Sequence, residues 1–143
     1  MRYVGTPLSI RFDPSILARL RKRARMVPGA TPSGLAERLV DEGLRMDEHP
    51  GVVFKDGSTG RRAALALGPD VWEVAKVVRE LDERGDRAIK AAAELLSLPV
   101  GRVEVALRYY GAHPDEIDEE IAMADEESRL AENAWLAGQR LLK

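Results

Sequence analysis

The chain contains no cysteine. Disulfides, thiolate metal sites and cysteine nucleophiles are therefore excluded, and the composition fits a reducing compartment. Histidine is almost absent too. His49 and His113 each stand directly before a proline, and neither has a partner ligand at metal-binding spacing. Aromatic residues make up 5% of the chain, so the core must be built mainly from aliphatic side chains and alanine. No run approaches the roughly 20 apolar residues that a membrane span needs. Residues 1–12 lack the basic start and apolar stretch of a signal peptide. A cytoplasmic protein with no membrane segment and no cofactor is expected.

Catalytic patterns are also missing. Asp115, Glu116, Asp118, Glu119 and Glu120 crowd together, but a helix start suits such negative charge. Nothing signals the burial that would set paired catalytic carboxylates apart. No nucleophile elbow appears, and Lys55 to Gly60 lacks the Walker pattern and its strand-loop-helix setting. No enzyme is expected.

The formal net charge of −2 conceals an uneven distribution. Residues 1–46 hold nine Lys or Arg against four Asp or Glu, a balance of +5. Residues 47–112 hold ten against eleven, or −1, and residues 113–143 three against nine, or −6. A basic head and an acidic tail imply different partners at the two ends, and a polyanion suits the head. The length of 143 residues accommodates one ordinary domain or two small ones.

In Pro7-Leu8-Ser9-Ile10-Arg11-Phe12, apolar and polar residues alternate with the period of a half-buried strand. Asp13-Pro14 then opens a helix to about Val27, with Asp as cap and Pro as first residue. Leu17, Leu20, Ala24 and Val27 form its apolar stripe, and Arg19, Arg21, Lys22, Arg23 and Arg25 its other face. That basic run reads first as a solvated face. After Pro28-Gly29, Thr31 and Pro32 open a second helix with Leu35, Ala36, Leu39, Val40, Gly43 and Leu44 on one side. His49-Pro50-Gly51 punctuates the chain and suggests a domain boundary.

One strand and two helices in about forty residues cannot bury their apolar faces alone. A lone strand exposing Leu8, Ile10 and Phe12 would invite aggregation. Both problems vanish if two copies pair their strands into an antiparallel ribbon and pack their helices together. Such a ribbon fits the major groove of DNA, where Ser9 and Arg11 would reach base edges. Backbone N–H groups near Thr31 and Ser33 would hold a phosphate. Arg19, Lys22 and Arg23 are candidates for further backbone contacts.

These strings resemble the ribbon-helix-helix family of repressors and antitoxins: Leu8-Ser9-Ile10-Arg11-Phe12-Asp13, Leu17-x-x-Leu20, Gly29-Ala30-Thr31-Pro32-Ser33 and Leu39-Val40-Asp41-Glu42-Gly43-Leu44. The resemblance covers the first third of the chain. Pro7, at an outward strand position that would often read a base, and Gly34, early in the second helix, depart from the pattern.

Further along, Val52-Val53-Phe54 and Arg61 to Leu67 flank a glycine-containing loop and predict a β-hairpin. A helix follows from Pro69-Asp70, with Val71, Val74, Ala75, Val78 and Leu81 as its stripe. Ala88 to Leu96, a turn at Ser97-Leu98-Pro99, and Gly101 to Tyr110 make a helix-turn-helix. The region resembles a winged-helix-like domain that accompanies VapB-type antitoxins. The resemblance rests on Pro50 to Phe54, Thr59-Gly60-Arg61-Arg62, Pro69 to Val74, Val103-x-x-Ala106-Leu107-Arg108-Tyr109-Tyr110 and Ala112-His113-Pro114-Asp115-Glu116-Ile117. It implies a PIN-like ribonuclease toxin as partner. Arg61, Arg62, Arg102 and Arg108 could touch DNA, but the slightly acidic segment favours protein contact or dimer packing.

From Asp115 the chain reads as helix almost to its end. Ile121, Ala124, Ser128, Ala131, Trp135, Gly138 and Leu142 recur at spacings of three and four, a heptad-like seam weakened by its small residues. It could fill a partner's groove, or Trp135 could fold back onto its own domain or a second copy. Arg129, Trp135, Arg140 and Leu142 are the candidate partner-binding residues.

The expected fold is mainly α with short β elements. A ribbon-helix-helix unit (1–48) precedes a winged helix-turn-helix-like domain (51–118) and a helical tail (119–143). The expected function is an antitoxin that binds double-stranded operator DNA as a homodimer or higher even oligomer, represses its own operon and neutralises a PIN-like ribonuclease. A stand-alone dimeric regulator and a protein-binding adaptor are the alternatives.

Overall fold

The computed structural model describes residues 5–57 and 60–143. They form six α-helices and one two-stranded antiparallel sheet. The chain divides into two compact units, Met1–Gly43 and Leu44–Lys143.

In the first unit, α1 (Pro14–Met26) starts at Asp13, whose Oδ1 accepts hydrogen bonds from the Ser15 N–H (2.9 Å) and hydroxyl (2.6 Å). Helix α2 (Pro32–Glu48) starts at Thr31, whose Oγ1 accepts from the Gly34 N–H at 3.0 Å. The glycine that looked out of place there has a local cause: a Cβ on Gly34 would lie 3.1 Å from that capping oxygen. The expected strand over Pro7–Phe12 is not formed within one chain. Residues 5–13 lie outside any helix or strand, because a strand needs a neighbouring backbone and the described residues offer none.

The second unit carries the larger core. Strands β1 (Val52–Gly57) and β2 (Gly60–Leu65) pair from Val52 opposite Leu65 to Gly57 opposite Gly60. Ser58 and Thr59, within the expected hairpin loop, lie outside the described residues. A Cβ on Gly57 would meet the guanidinium of Arg62, which would have to shift to admit it. That guanidinium reaches Asp70, 2.9 Å from its Nε. Asp70 also caps α3 (Val71–Glu80) in a reciprocal box with Glu73, and accepts from Trp72 Nε1 at 3.0 Å. Helices α4 (Asp86–Leu96) and α5 (Val100–Ala112) meet at a turn in which Ser97 adopts a left-handed conformation, and Leu98 N–H closes back on Ala93 C=O at 2.9 Å. The core joins Val52 and Leu65 of the hairpin, Val71 and Val74 of α3, and Val103, Ala106 and Tyr109 of α5. Ile117 and Ile121, on the first two turns of α6 (Pro114–Gln139), complete it.

Tyr109 is fully buried. Its hydroxyl donates to Glu116 Oε2 (2.6 Å) and accepts from Arg45 (2.8 Å), while Arg45 also donates to Glu116 Oε1 (2.6 Å). Burial foremost, then the bond to Glu116, raises the phenol pKa far above its ordinary value. For Arg45, burial opposes charge, but the bonds to Glu116 and Tyr109 outweigh it and the pKa is raised. The rings of His49 and His113 lie 5.1 and 4.6 Å from that of Tyr109. Replacing Tyr109 with Phe keeps the shape and removes the shared hydroxyl. A loss of about 1–2 kcal/mol is expected, read as a lower urea midpoint with an unchanged m-value.

Glu120 shows the opposite situation. Its Oε2 is buried without a hydrogen-bond partner. Burial foremost, then the charges of Glu116 and Asp70, pushes its pKa up to about 7, with Arg62 pulling the other way. The folded state therefore holds this proton more tightly than the unfolded one, and the stability it contributes is lost as pH rises from about 4.5 to 7. Glu120→Gln should raise the melting temperature at pH 8, by about 1 kcal/mol of stability once solvent screening is allowed for, and leave it unchanged at pH 4. Thermal melts of both proteins at the two pH values check this.

Candidate nucleic-acid interface

The first unit is short of core. Among its described residues, the only buried apolar side chains are Ala24 on α1 and Leu35 on α2. Leu8 is 82% exposed and Ile10 55%, and Phe12, Ile16, Met26, Leu39 and Val40 are exposed with them. Phe12, Ile16, Leu20, Met26, Leu39 and Val40 border an open groove of about 540 Å³, rimmed by Arg19, Lys22 and Arg23. A second open groove of about 730 Å³ runs beside Leu8, Ile10, Leu17 and Pro32. The expected apolar stripe exists on both helices, but one chain does not cover it.

Every expected DNA-contacting side chain of this unit is exposed: Ser9, Arg11, Arg19, Lys22, Arg23, Thr31 and Ser33. Arg11, Arg19, Lys22 and Arg23 form no ion pair among the described residues. Their charge is available to a polyanion. The N-terminal end of α2 offers fewer free backbone donors than its sequence implied. Pro32 has no N–H, and Gly34 N–H is taken by Thr31. Of the first three helical positions, Ser33 supplies the backbone donor, beside the hydroxyls of Thr31 and Ser33 themselves.

Arg61, Arg62 and Arg102 of the second unit are engaged internally. Arg62 pairs with Asp70 (2.9 Å), and Arg61 with Asp56 (3.4 Å). Arg102 donates to the Ala66 carbonyl. Arg108 is exposed and lies 4.0 Å from Glu104 on its own helix. Val103 is buried in the core, and Leu107 and Tyr110 pack against it. Tyr110 donates to Asp118 at 2.9 Å, and Arg79 pairs with the same carboxylate. The face of α5 that would enter a groove is used to hold the domain together.

The tail separates into two halves. Ile117 and Ile121 are buried, and Lys76 pairs with Asp125. From Asp125 to Gly138 every residue is exposed, including Trp135 at 63%, and Leu142 in the closing 3₁₀ turn is 79% exposed. Trp135 does not fold back onto its own domain. Arg129 pairs with Glu126 one turn before it (2.6 Å), and Arg140 is exposed.

The Arg45–Tyr109–Glu116 network was not legible in the sequence. Its members stand 64 and seven positions from Tyr109, and no helical or strand period links Arg45 to the rest. No group of three or more His, Cys, Asp or Glu that could hold a metal ion occurs among the described residues. None of their helices is long and apolar enough to cross a membrane. No family model, curated protein or solved structure matches the chain.

Proposed function

We propose that this protein is a dimeric DNA-binding regulator. Residues 7–12 of two copies lie side by side as an antiparallel ribbon in the major groove, and α1 and α2 of both copies close one shared core. The observation that carries this reading is the apolar excess of the first unit: among its described residues, two buried apolar side chains against seven large exposed ones. Covering Leu8, Ile10, Phe12, Ile16, Leu39 and Val40 would gain about 1 kcal/mol or more for each half-buried side chain, and a second copy carries the same uncovered surface. Alternation then turns Ser9 and Arg11 outward. Arg11 is the base reader, since a guanidinium bonds both O6 and N7 of a guanine. Thr31 and Ser33 anchor a phosphate and set register, and Arg19, Lys22 and Arg23 add sequence-independent attraction.

A gel shift on the DNA upstream of the protein's own gene, titrated in salt, tests this. A shift that weakens steeply with salt is expected. Arg11→Ala should lower affinity about tenfold or more while sedimentation still shows a dimer. Wild-type affinity in the variant, or no shift at low salt, would remove the ribbon from this role.

A second reading concerns the tail. Its exposed Trp135 and Leu142, flanked by Arg129 and Arg140, support a helix that docks on another protein. In this reading the regulator is an antitoxin and the protein is a PIN-like ribonuclease. The acidic residues before Arg129 would favour basic surface beside such an enzyme's metal site over the site itself. Deleting residues 126–143 should leave DNA binding intact and abolish co-purification of the ribonuclease. Retention of the ribonuclease by the truncated chain would sink the antitoxin reading and leave the regulator standing.

A further inference from the structure

Glu120 and Arg62 each keep a buried polar atom that forms no hydrogen bond: Oε2 of the glutamate and Nε of the arginine. One is an acceptor and the other a donor. Arg62 Nε lies 2.9 Å from Asp70 Oδ2 but makes no hydrogen bond with it, so charge alone holds that contact. The same guanidinium is the cation whose field acts on Glu120. Buried polar groups are normally paired. An unpaired acceptor and an unpaired donor that feel each other's charge leave room for a second arrangement.

Donors are shared unevenly among the carboxylates of this region. Asp70 has several: Trp72 Nε1 at 3.0 Å, the α3 backbone through its capping box, Lys55 Nζ at 3.9 Å, and Arg62. Glu116 is held by Arg45 and Tyr109. On α3, Lys76 and Arg79 are taken by Asp125 and Asp118. Glu119, next to Glu120 on α6, adds one more negative charge. Among the described residues, Glu120 itself has no donor. While it holds its proton it needs none. Burial foremost, then the charges of Glu116 and Asp70, sets the loss of that proton near pH 7. The carboxylate left behind is half-buried and unpaired, a costly state. Arg62 is the group that can relieve it, and Asp70 the one that can spare it.

We propose that Asp70 and Glu120 compete for Arg62, and that the proton on Glu120 decides which carboxylate the guanidinium serves. With Glu120 neutral, Arg62 stays on Asp70. With Glu120 ionised and its proton released to solvent, Arg62 turns its free Nε–H toward Glu120, and Asp70 keeps Trp72, Lys55 and the α3 backbone. This exchange ties the start of α6 to the start of α3 by way of β2. It lies wholly within the second unit and rests on no reading of what the protein binds.

Trp72 reports on the exchange, because its indole donates to the carboxylate that would lose Arg62. The other tryptophan, Trp135, is removed as Trp135→Phe. In this full-length background, Trp72 fluorescence is titrated across neutrality, above the ordinary carboxylate range. One transition centred near pH 7 is expected. Glu120→Gln keeps the shape of the neutral side chain. It should abolish the transition and hold the emission at its low-pH value throughout. Arg62→Gln should abolish it too, since nothing is left to exchange. Histidine side chains change charge in the same range, but His49 and His113 border Tyr109, so His49→Gln/His113→Gln should retain the transition. No transition in the parent, or one that survives Glu120→Gln, overturns the proposal. So does its loss in the double histidine variant. A transition that survives Arg62→Gln would mean that Glu120 acts on Trp72 through its field alone, and the exchange would be wrong.

Discussion

Tyr109 is the point on which the second unit turns. Its ring is wholly buried, against the imidazoles of His49 and His113, which also meet each other at 5.8 Å, and against Phe54. Its hydroxyl joins Arg45, near the end of α2, to Glu116, at the start of α6. A buried phenol must have its polar end satisfied, and a partly buried guanidinium must have a counter-charge. One small cluster meets both demands. The His-Pro junctions that end α2 and α5 are thereby held against the same ring, and the first turn of α6 is placed so that Ile117 and Ile121 enter the core.

The two units face opposite problems. In the second, hairpin, helices and the start of α6 share one continuous core, and Arg62 and Arg102 answer its own carboxylate and carbonyl. In the first, the apolar surface exceeds what one chain can cover, and the cations of α1 form no ion pair among the described residues. The distal tail shows a similar excess, without the positive field. Surplus apolar surface marks sites of association. The two sites differ in charge, the first unit carrying a balance of +5 over residues 1–46 and the last segment −6 over residues 113–143.

Much of the local structure was legible because its causes are local. Asp13-Pro14 and Thr31-Pro32 announced α1 and α2, and each capping side chain bonds the N–H that its position requires. The alternation and glycines around Val52 and Arg61 announced the hairpin, and the period of Val71, Val74 and Ala75 announced the buried side of α3. Other features were not legible. Gly34 looked like a flaw in a helix, and only the nearness of Thr31 Oγ1 explains it. Arg62 and Arg102 read as free cations, yet one meets Asp70 and the other a carbonyl 36 positions away. The strand over Pro7–Phe12 was inferred from a period of two, but a period states which side chains share a face and supplies no backbone to pair with.

The sequence by itself determined where helices begin and end, where the chain turns, and how charge is shared between head and tail. Those properties rest on capping groups, fixed proline torsions and residue spacing, all of which act over a few positions. Only the tertiary structure decided which polar groups are spent and which remain. Arg45, Arg62, Arg102 and Tyr109 are consumed in building the second unit, one carboxylate oxygen of Glu120 is buried without a hydrogen-bond partner, and Arg11, Arg19 and Trp135 are left facing solvent. Satisfaction of charge and hydrogen bonds depends on distances across the fold, and neighbours in space need not be neighbours in the chain.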